Sequence, residues 1–147
     1  MGEKYHTPLS DDYLRALGEL TANFNAVDFY LRHSICFLLG LPTPLGLLAF
    51  RRLHFRALAE TVKDIARSQD TKRSASIAAF AESAIKLSND RNDMLHSVWG
   101  KPESRDDFVR FRPHDLRARD TTIDDIRRIS ERGAQLMGTW ISIMTDD

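Results

Sequence analysis

Apolar residues recur every three or four positions through most of this chain, and this spacing limits its fold more than any other feature. The first and longest stripe follows Ser10, a candidate helix N-cap, and stops before Gly40 and Pro42. The period therefore predicts a helix over residues 11–39. Its core-facing residues are Leu17, Leu20, Phe24, Val27, Leu31, Ile35 and Leu38.

Three further stripes predict helices over about residues 52–69, 74–98 and 122–144. A short apolar turn over residues 45–50 precedes the second, Gly100 and Pro102 stop the third, and Thr122 with Asp125 approximates a capping box for the fourth. The 147 residues make one domain over 1–147. We therefore predict an all-α fold, an antiparallel four-helix bundle with mostly short connections.

The segment over residues 101–120 departs from this pattern because it is polar and charged. Only the alternation over residues 108–112 resembles a strand. A lone strand needs a partner, so it is an edge ribbon, part of a hairpin, or an ordered loop over the neighbouring helix end. The sequence leaves these three arrangements open, and we expect a polar loop or short β segment between the third and fourth predicted helices.

Composition excludes several classes of protein. The single Cys36 lies in an apolar run, which excludes a disulfide framework and a cysteine-based zinc site and favours a reducing, cytoplasmic location. The start of the chain lacks the apolar core of a signal peptide, and the apolar runs are too interrupted to span a membrane. The net charge of zero argues against a general nucleic-acid coat protein.

Arginine is unusually frequent, since sixteen of the 21 basic residues are arginine. Arg51 and Arg52 begin one cluster, and further arginines crowd residues 105–119 and 127–132. Such clusters form local basic surface, or they are solvated faces paired with Asp and Glu. Both interpretations remain open at the level of the sequence.

The densest chemistry lies in six residues, Arg91 to His96, at the end of the third predicted helix. Arginine offers a rigid fork of donors to phosphoryl oxygens, histidine titrates near neutral pH, and an amide such as Asn92 hydrogen-bonds either group. Asn92 and His96 share a helix face with Ser88, whereas Arg91 follows the inward stripe. Arg91 and His96 are about 140° apart on an ideal helix, so they converge on one ligand only if the helix deforms or a second subunit contributes. A symmetric dimer would bring both motifs into one cleft.

These residues resemble the Arg-Asn-x-x-x-His signature of HEPN (higher eukaryotes and prokaryotes nucleotide-binding) domains. Asp28, a polar residue amid apolar ones in the long first helix, and Trp99, shortly after the histidine, extend the resemblance. The position that carries a modified tyrosine in some relatives is Val98 here, so regulation by that modification is not expected.

The resemblance implies a dimeric, metal-independent ribonuclease that acts on RNA, a toxin or defence effector held by a cognate antitoxin or inhibitor. It assigns His96 as general acid or base, Arg91 as the group that binds the phosphate, and Asn92 as a positioning group. We expect Asp28 and Asp93 to support these catalytic groups. The predicted substrate-binding residues are Ser88, Ser97, Arg51 and Arg52, and no metal or cofactor is expected.

Each of these residues also has a structural interpretation. His96 would then interact with the dipole of its helix, Arg91 would form a buried ion pair with Asp28, and Trp99 and Trp140 would be core or interface aromatics. A non-catalytic interaction or nucleotide-binding module would combine such a pair with a His96 that is closed to solvent. A di-iron bundle would need a second carboxylate–histidine pair besides Asp93 and His96, and the sequence contains none.

Overall fold

Helices make up most of the protein, as the apolar period predicts, and a small antiparallel sheet accompanies them. The computed structural model describes residues 5–6, 9–104, 106, 108–112 and 117–146. The helices are α1 (Asp11–Leu39), α2 (Thr43–Ala49), α3 (Phe55–Arg67), α4 (Lys72–Leu95) and α5 (Ile123–Thr145). The strands are β1 (Tyr5–His6), β2 (Val98–Pro102), β3 (Val109–Phe111) and β4 (Ala118–Asp120).

The long helices begin and end where their local sequences favour it. The predicted bounds of α1 are confirmed, and Gly40 ends this helix in the left-handed conformation, with φ at 61°. The predicted capping box of α5 is present: Thr122 Oγ1 accepts from the Asp125 backbone N–H at 3.1 Å, and Asp125 Oδ2 accepts from that of Thr122 at 2.9 Å. This bonding lowers the pKa of Asp125.

The all-α class fits this mostly helical structure, and the expected short β segment is part of a small sheet, whereas the prediction of four helices omits α2. The sequence predicts a turn over residues 45–50, but most of this segment belongs to the seven-residue helix α2, which is too short to display an apolar period. The third predicted helix ends at Leu95 instead of reaching Val98, because Val98 begins β2.

The strands lie in the order β1-β2-β3-β4, and all neighbours are antiparallel. In the register of this sheet, Trp99 stands opposite Arg110, and Arg110 stands opposite Arg119. The strand-like alternation over residues 108–112 therefore belongs to the middle of a ribbon. Part of the 101–120 segment, residues 105, 107 and 113–116, lies outside the described residues.

The core lies where α1, α3, α4 and α5 pack on one another. Its fully buried side chains include Leu20, Val27, Leu31, Leu58, Ile77, Phe80, Leu87 and Ile126. The sheet is joined to this core through Tyr13 of α1, which packs on the rings of Trp99 and Phe108 and donates its hydroxyl to the Thr121 carbonyl at 3.1 Å. The sheet is thereby held beside the end of α4.

Within the described residues, no helix taken alone has both the length and the apolar character needed to cross a membrane. Only α1 and α2 counted together meet that standard, with a bend of 112° between them.

Candidate active site

The predicted motif lies where α4 ends. Arg91 and Asn92 belong to the last turns of the helix, and His96 is the first residue after it. The backbone N–H of His96 still donates to the Asn92 carbonyl at 3.0 Å, and the His96 side chain is exposed. The imidazole is therefore accessible to a ligand.

Arg91 is held in a half-buried position against α1. Its guanidinium carbon lies 4.4 Å from the centroid of the Phe24 ring, and its Nη1 donates to Asn92 Oδ1 at 3.0 Å. Burial lowers the pKa of Arg91. Within the described part of the chain, its buried Nε has no hydrogen-bond acceptor. An unsatisfied donor on a partly desolvated cation is unfavourable until an acceptor arrives.

Asp28 pairs with a different arginine from the one weighed in the sequence analysis. Its Oδ2 accepts from Arg32 Nε at 2.7 Å, one turn along α1. Arg32 also donates to the carbonyls of Phe50 at 2.9 Å and Leu53 at 3.0 Å. The interpretation of Arg91 as the buried partner of Asp28 is therefore wrong, since Asp28 and Arg32 together fasten the connection between α2 and α3.

Asp93, inside the motif, is bonded to the sheet. Its carboxylate accepts from Arg110 Nη1 at 2.7 Å and also from Arg112 Nε. Burial raises the pKa of Asp93, but the hydrogen bonds and charges of Arg112 and Arg110 together outweigh burial and lower it. Asp93 is thus an anchor for the end of α4.

Ser97 and two residues of the same sheet donate to two of the last carbonyl groups of α4. The Asp93 carbonyl accepts from Arg110 Nη1 at 3.1 Å and from the Ser97 hydroxyl, and the Met94 carbonyl accepts from the Trp99 indole at 3.1 Å. These side-chain donors replace the backbone N–H groups that a longer helix would supply. They explain why α4 ends at Leu95 and why His96 stands at its end.

The predicted substrate-binding residues have different surroundings. Arg51 and Arg52 are exposed in the connection that Arg32 fastens, and Arg56, just beyond them, donates to Asn89 Oδ1 of α4 at 3.3 Å. Ser97 is half-buried, and its hydroxyl is engaged by the Asp93 carbonyl.

Ser88 is only 1% exposed, so the structure does not bring it to the same surface as His96. Each step of four residues turns a side chain by about 40° around a helix, and two such steps from His96 lead into the core.

Arg91 and His96 leave α4 in different directions, as the helical spacing predicts. The Arg91 side chain lies on the ring of Phe24 in α1, whereas His96 is exposed beyond the helix end. Asn92 touches Arg91 through its side chain and His96 through its carbonyl, so it is the link between them.

Three contributors to this site were not recognised as site residues from the sequence. Arg110 and Arg32 are ordinary members of an arginine-rich chain, and Phe24 is one member of an apolar stripe. The alternation over residues 108–112 is the only signal that could have indicated Arg110, because it places Arg110 and Arg112 on one face of a strand.

No cluster of three or more His, Cys, Asp or Glu side chains arranged to hold a metal ion occurs in the part of the chain that the structure describes. Comparison of the chain with protein-family models, with curated proteins and with solved structures found no match. The chemistry of the site is therefore inferred from its own residues.

Proposed function

We propose that this protein is a metal-independent endoribonuclease of the HEPN type that acts as a homodimer. In this proposal α1, α3, α4 and α5 correspond to the HEPN four-helix bundle, and α2 and the sheet are additions to it. The support is the Arg-Asn-x-x-x-His motif at the end of α4, together with the exposure of its histidine and the bonding of its arginine.

The proposed reaction is an internal transesterification of RNA. The 2′-hydroxyl oxygen forms a bond to the adjacent phosphorus while the bond from phosphorus to the 5′-oxygen breaks. The 2′-hydroxyl loses its proton to a base, and the 5′-oxygen leaves with a proton, which yields a 2′,3′-cyclic phosphate and a 5′-hydroxyl. His96 is the general base or acid, and Arg91 stabilises the charge that grows on the phosphoryl oxygens.

The observation that carries the proposal is the set of groups that the Arg91 guanidinium contacts. A guanidinium that served only the fold would be expected to pair with a carboxylate, as Arg32 does with Asp28. Arg91 instead meets an amide oxygen and an aromatic face, and its Nε retains an unused donor among the described residues. In the proposal, the Arg91 guanidinium binds the phosphoryl group of the RNA.

The rival proposal, a non-catalytic module, makes two expectations that the geometry does not meet. It expects Asp28 on Arg91, but Asp28 is engaged by Arg32, and it expects a closed His96, but the His96 side chain is exposed. Both observations favour the nuclease.

The dimer is proposed because the Arg91 and His96 side chains of one chain point in different directions and so do not meet at one ligand. A two-fold axis beside α4 would place the His96 of one protomer near the Arg91 of the other. Arg51 and Arg52, on the neighbouring connection, would then add basic surface for the RNA backbone. An active nuclease also endangers the cell that makes it, so the proposal includes a toxin or defence role with a cognate inhibitor.

The test is cleavage of end-labelled RNA in the presence of EDTA by wild type, His96→Ala and Arg91→Ala. We expect wild type to leave a 2′,3′-cyclic phosphate and both variants to lose at least about a hundredfold in rate, because each removes a group acting in the transition state. His33→Ala and Arg67→Ala are the matched controls, since both residues lie away from the end of α4.

Circular dichroism and light scattering check that each variant keeps the fold and the oligomeric state of wild type. If wild type leaves every RNA intact, or if His96→Ala cuts as fast as wild type, the proposal is wrong.

A further inference from the structure

The ring of Phe24 carries a cation on one side and a second ring on the other. The Arg91 guanidinium carbon is 4.4 Å from its centroid, and the Phe55 ring is stacked on it, with centroids 3.9 Å apart and planes inclined by 26°. Two groups this close to one centroid would collide on a single face, so they occupy opposite faces. The result is a three-layer stack of guanidinium, Phe24 and Phe55.

This stack joins three helices at the point where Arg91 leaves α4. Phe24 is a core residue of α1 and is 5% exposed, while Phe55 is the first residue of α3. Phe24 therefore has little freedom to rotate, because Phe55 covers the face turned away from Arg91. A cation–π contact strengthens when its partners are shielded from water, and burial of the guanidinium provides that shielding here.

The stack and Asn92 together restrict the orientation of the Arg91 guanidinium. The ring covers one face of the guanidinium, and Asn92 Oδ1 takes Nη1 at 3.0 Å. Nε is buried and has no acceptor among the described residues. A guanidinium held in a fixed plane donates to phosphoryl oxygens in a defined direction.

We infer that Phe24, backed by Phe55, is a positioning residue that fixes the plane in which the Arg91 guanidinium binds the scissile phosphate. The inference rests on the proposed function, because it assigns the anion to the RNA substrate. It adds to that function a device outside the motif: an aromatic platform on α1 and α3.

The kinetic test compares wild type with Phe24→Leu, which keeps an apolar side chain but removes the aromatic face. We expect kcat for RNA cleavage to fall about tenfold, the effect of a partly desolvated cation–π contact, while KM changes less than about twofold. Phe80→Leu is the matched control, since it removes an equally buried ring of α4 that does not touch Arg91. Pentafluorophenylalanine at position 24 keeps the shape of the ring but reverses the charge of its face, so it should lower kcat as Phe24→Leu does.

A second readout does not depend on cleavage. The Nε–H resonance of Arg91, identified by its loss in Arg91→Lys, should lie upfield in wild type because of the Phe24 ring current. It should shift on titration with inorganic phosphate. In Phe24→Leu the upfield position should disappear and the response to phosphate should weaken severalfold.

The two readouts separate the failure of this inference from the failure of the proposed function. A wild type that leaves RNA intact while phosphate shifts Arg91, with a weaker shift in Phe24→Leu, supports the platform and refutes the nuclease. A Phe24→Leu protein with wild-type kcat, or with an unchanged Arg91 resonance and phosphate response, overturns the platform.

Discussion

Replacing Arg110 should reveal how firmly the sheet holds the motif. Arg110 is 9% exposed and donates to Thr121 Oγ1 at 2.7 Å, to Asp93 Oδ2 at 2.7 Å and to the Asp93 carbonyl at 3.1 Å. Breaking a buried ion pair by removing one partner costs roughly 3–5 kcal/mol. Asp93 keeps its bond to Arg112, so we expect Arg110→Met to lower the free energy of unfolding by about 2–3 kcal/mol.

Arg112→Met is the matched comparison, because Arg112 donates to the same carboxylate from a side chain that is 45% exposed. A solvent-exposed ion pair contributes about 0–1 kcal/mol, so this variant should lose no more than about 1 kcal/mol. Urea unfolding of both variants, followed by circular dichroism at one chain concentration, measures the difference. Equal losses in the two variants would refute the argument that burial makes Arg110 the stronger anchor.

Three further predictions concern other contacts. The stability difference between wild type and Asp93→Asn should be constant at neutral pH and shrink below about pH 4. Because folding lowers the pKa of Asp93, this carboxylate stabilises the fold at every pH above the pKa that it has in the unfolded chain. That stabilisation is lost as the pH falls through the lower pKa of the folded protein. Unfolding curves from pH 3 to pH 8 measure it, and a constant difference would contradict it. Gly46→Ala should lower the free energy of unfolding by about 1–3 kcal/mol, because a Cβ there would lie 2.3 Å from Cys36 Sγ; thermal unfolding should show partial recovery in a Cys36→Ala background, and no recovery would exclude this clash. Arg32→Met should speed trypsin cleavage at Arg51, because it frees the carbonyls that hold this connection, and an unchanged digestion rate would count against that role.

The helices were predictable because their information is local. A period of three to four residues, a glycine at the end of α1 and a Thr–Asp capping box each act within a few residues of chain, so the sequence alone reveals them. The observed helices depart from the predicted bounds by a few residues at most. At the end of α4, contacts with other parts of the chain account for the difference.

The end of α4 is stabilised by residues outside the helix. Trp99, close in sequence, donates to the Met94 carbonyl, and Arg110, brought there by strand pairing, donates to the Asp93 carbonyl. The alternation over residues 108–112 indicated a strand, but neither its partners nor its contact with Asp93 could be derived from spacing. Long-range pairing depends on the surfaces that packing brings together, which local patterns do not encode.

The candidate site divides in the same way. The sequence by itself determined the helical framework and the motif, including the inward direction of Arg91, because residue spacing around a helix decides which way a side chain points. The tertiary structure alone decided that Asp28 pairs with Arg32, that Asp93 is bonded to the sheet, and that Phe24 lies beneath the guanidinium of Arg91. Partner choice depends on distances between elements, and those distances exist only after the helices and the sheet have packed.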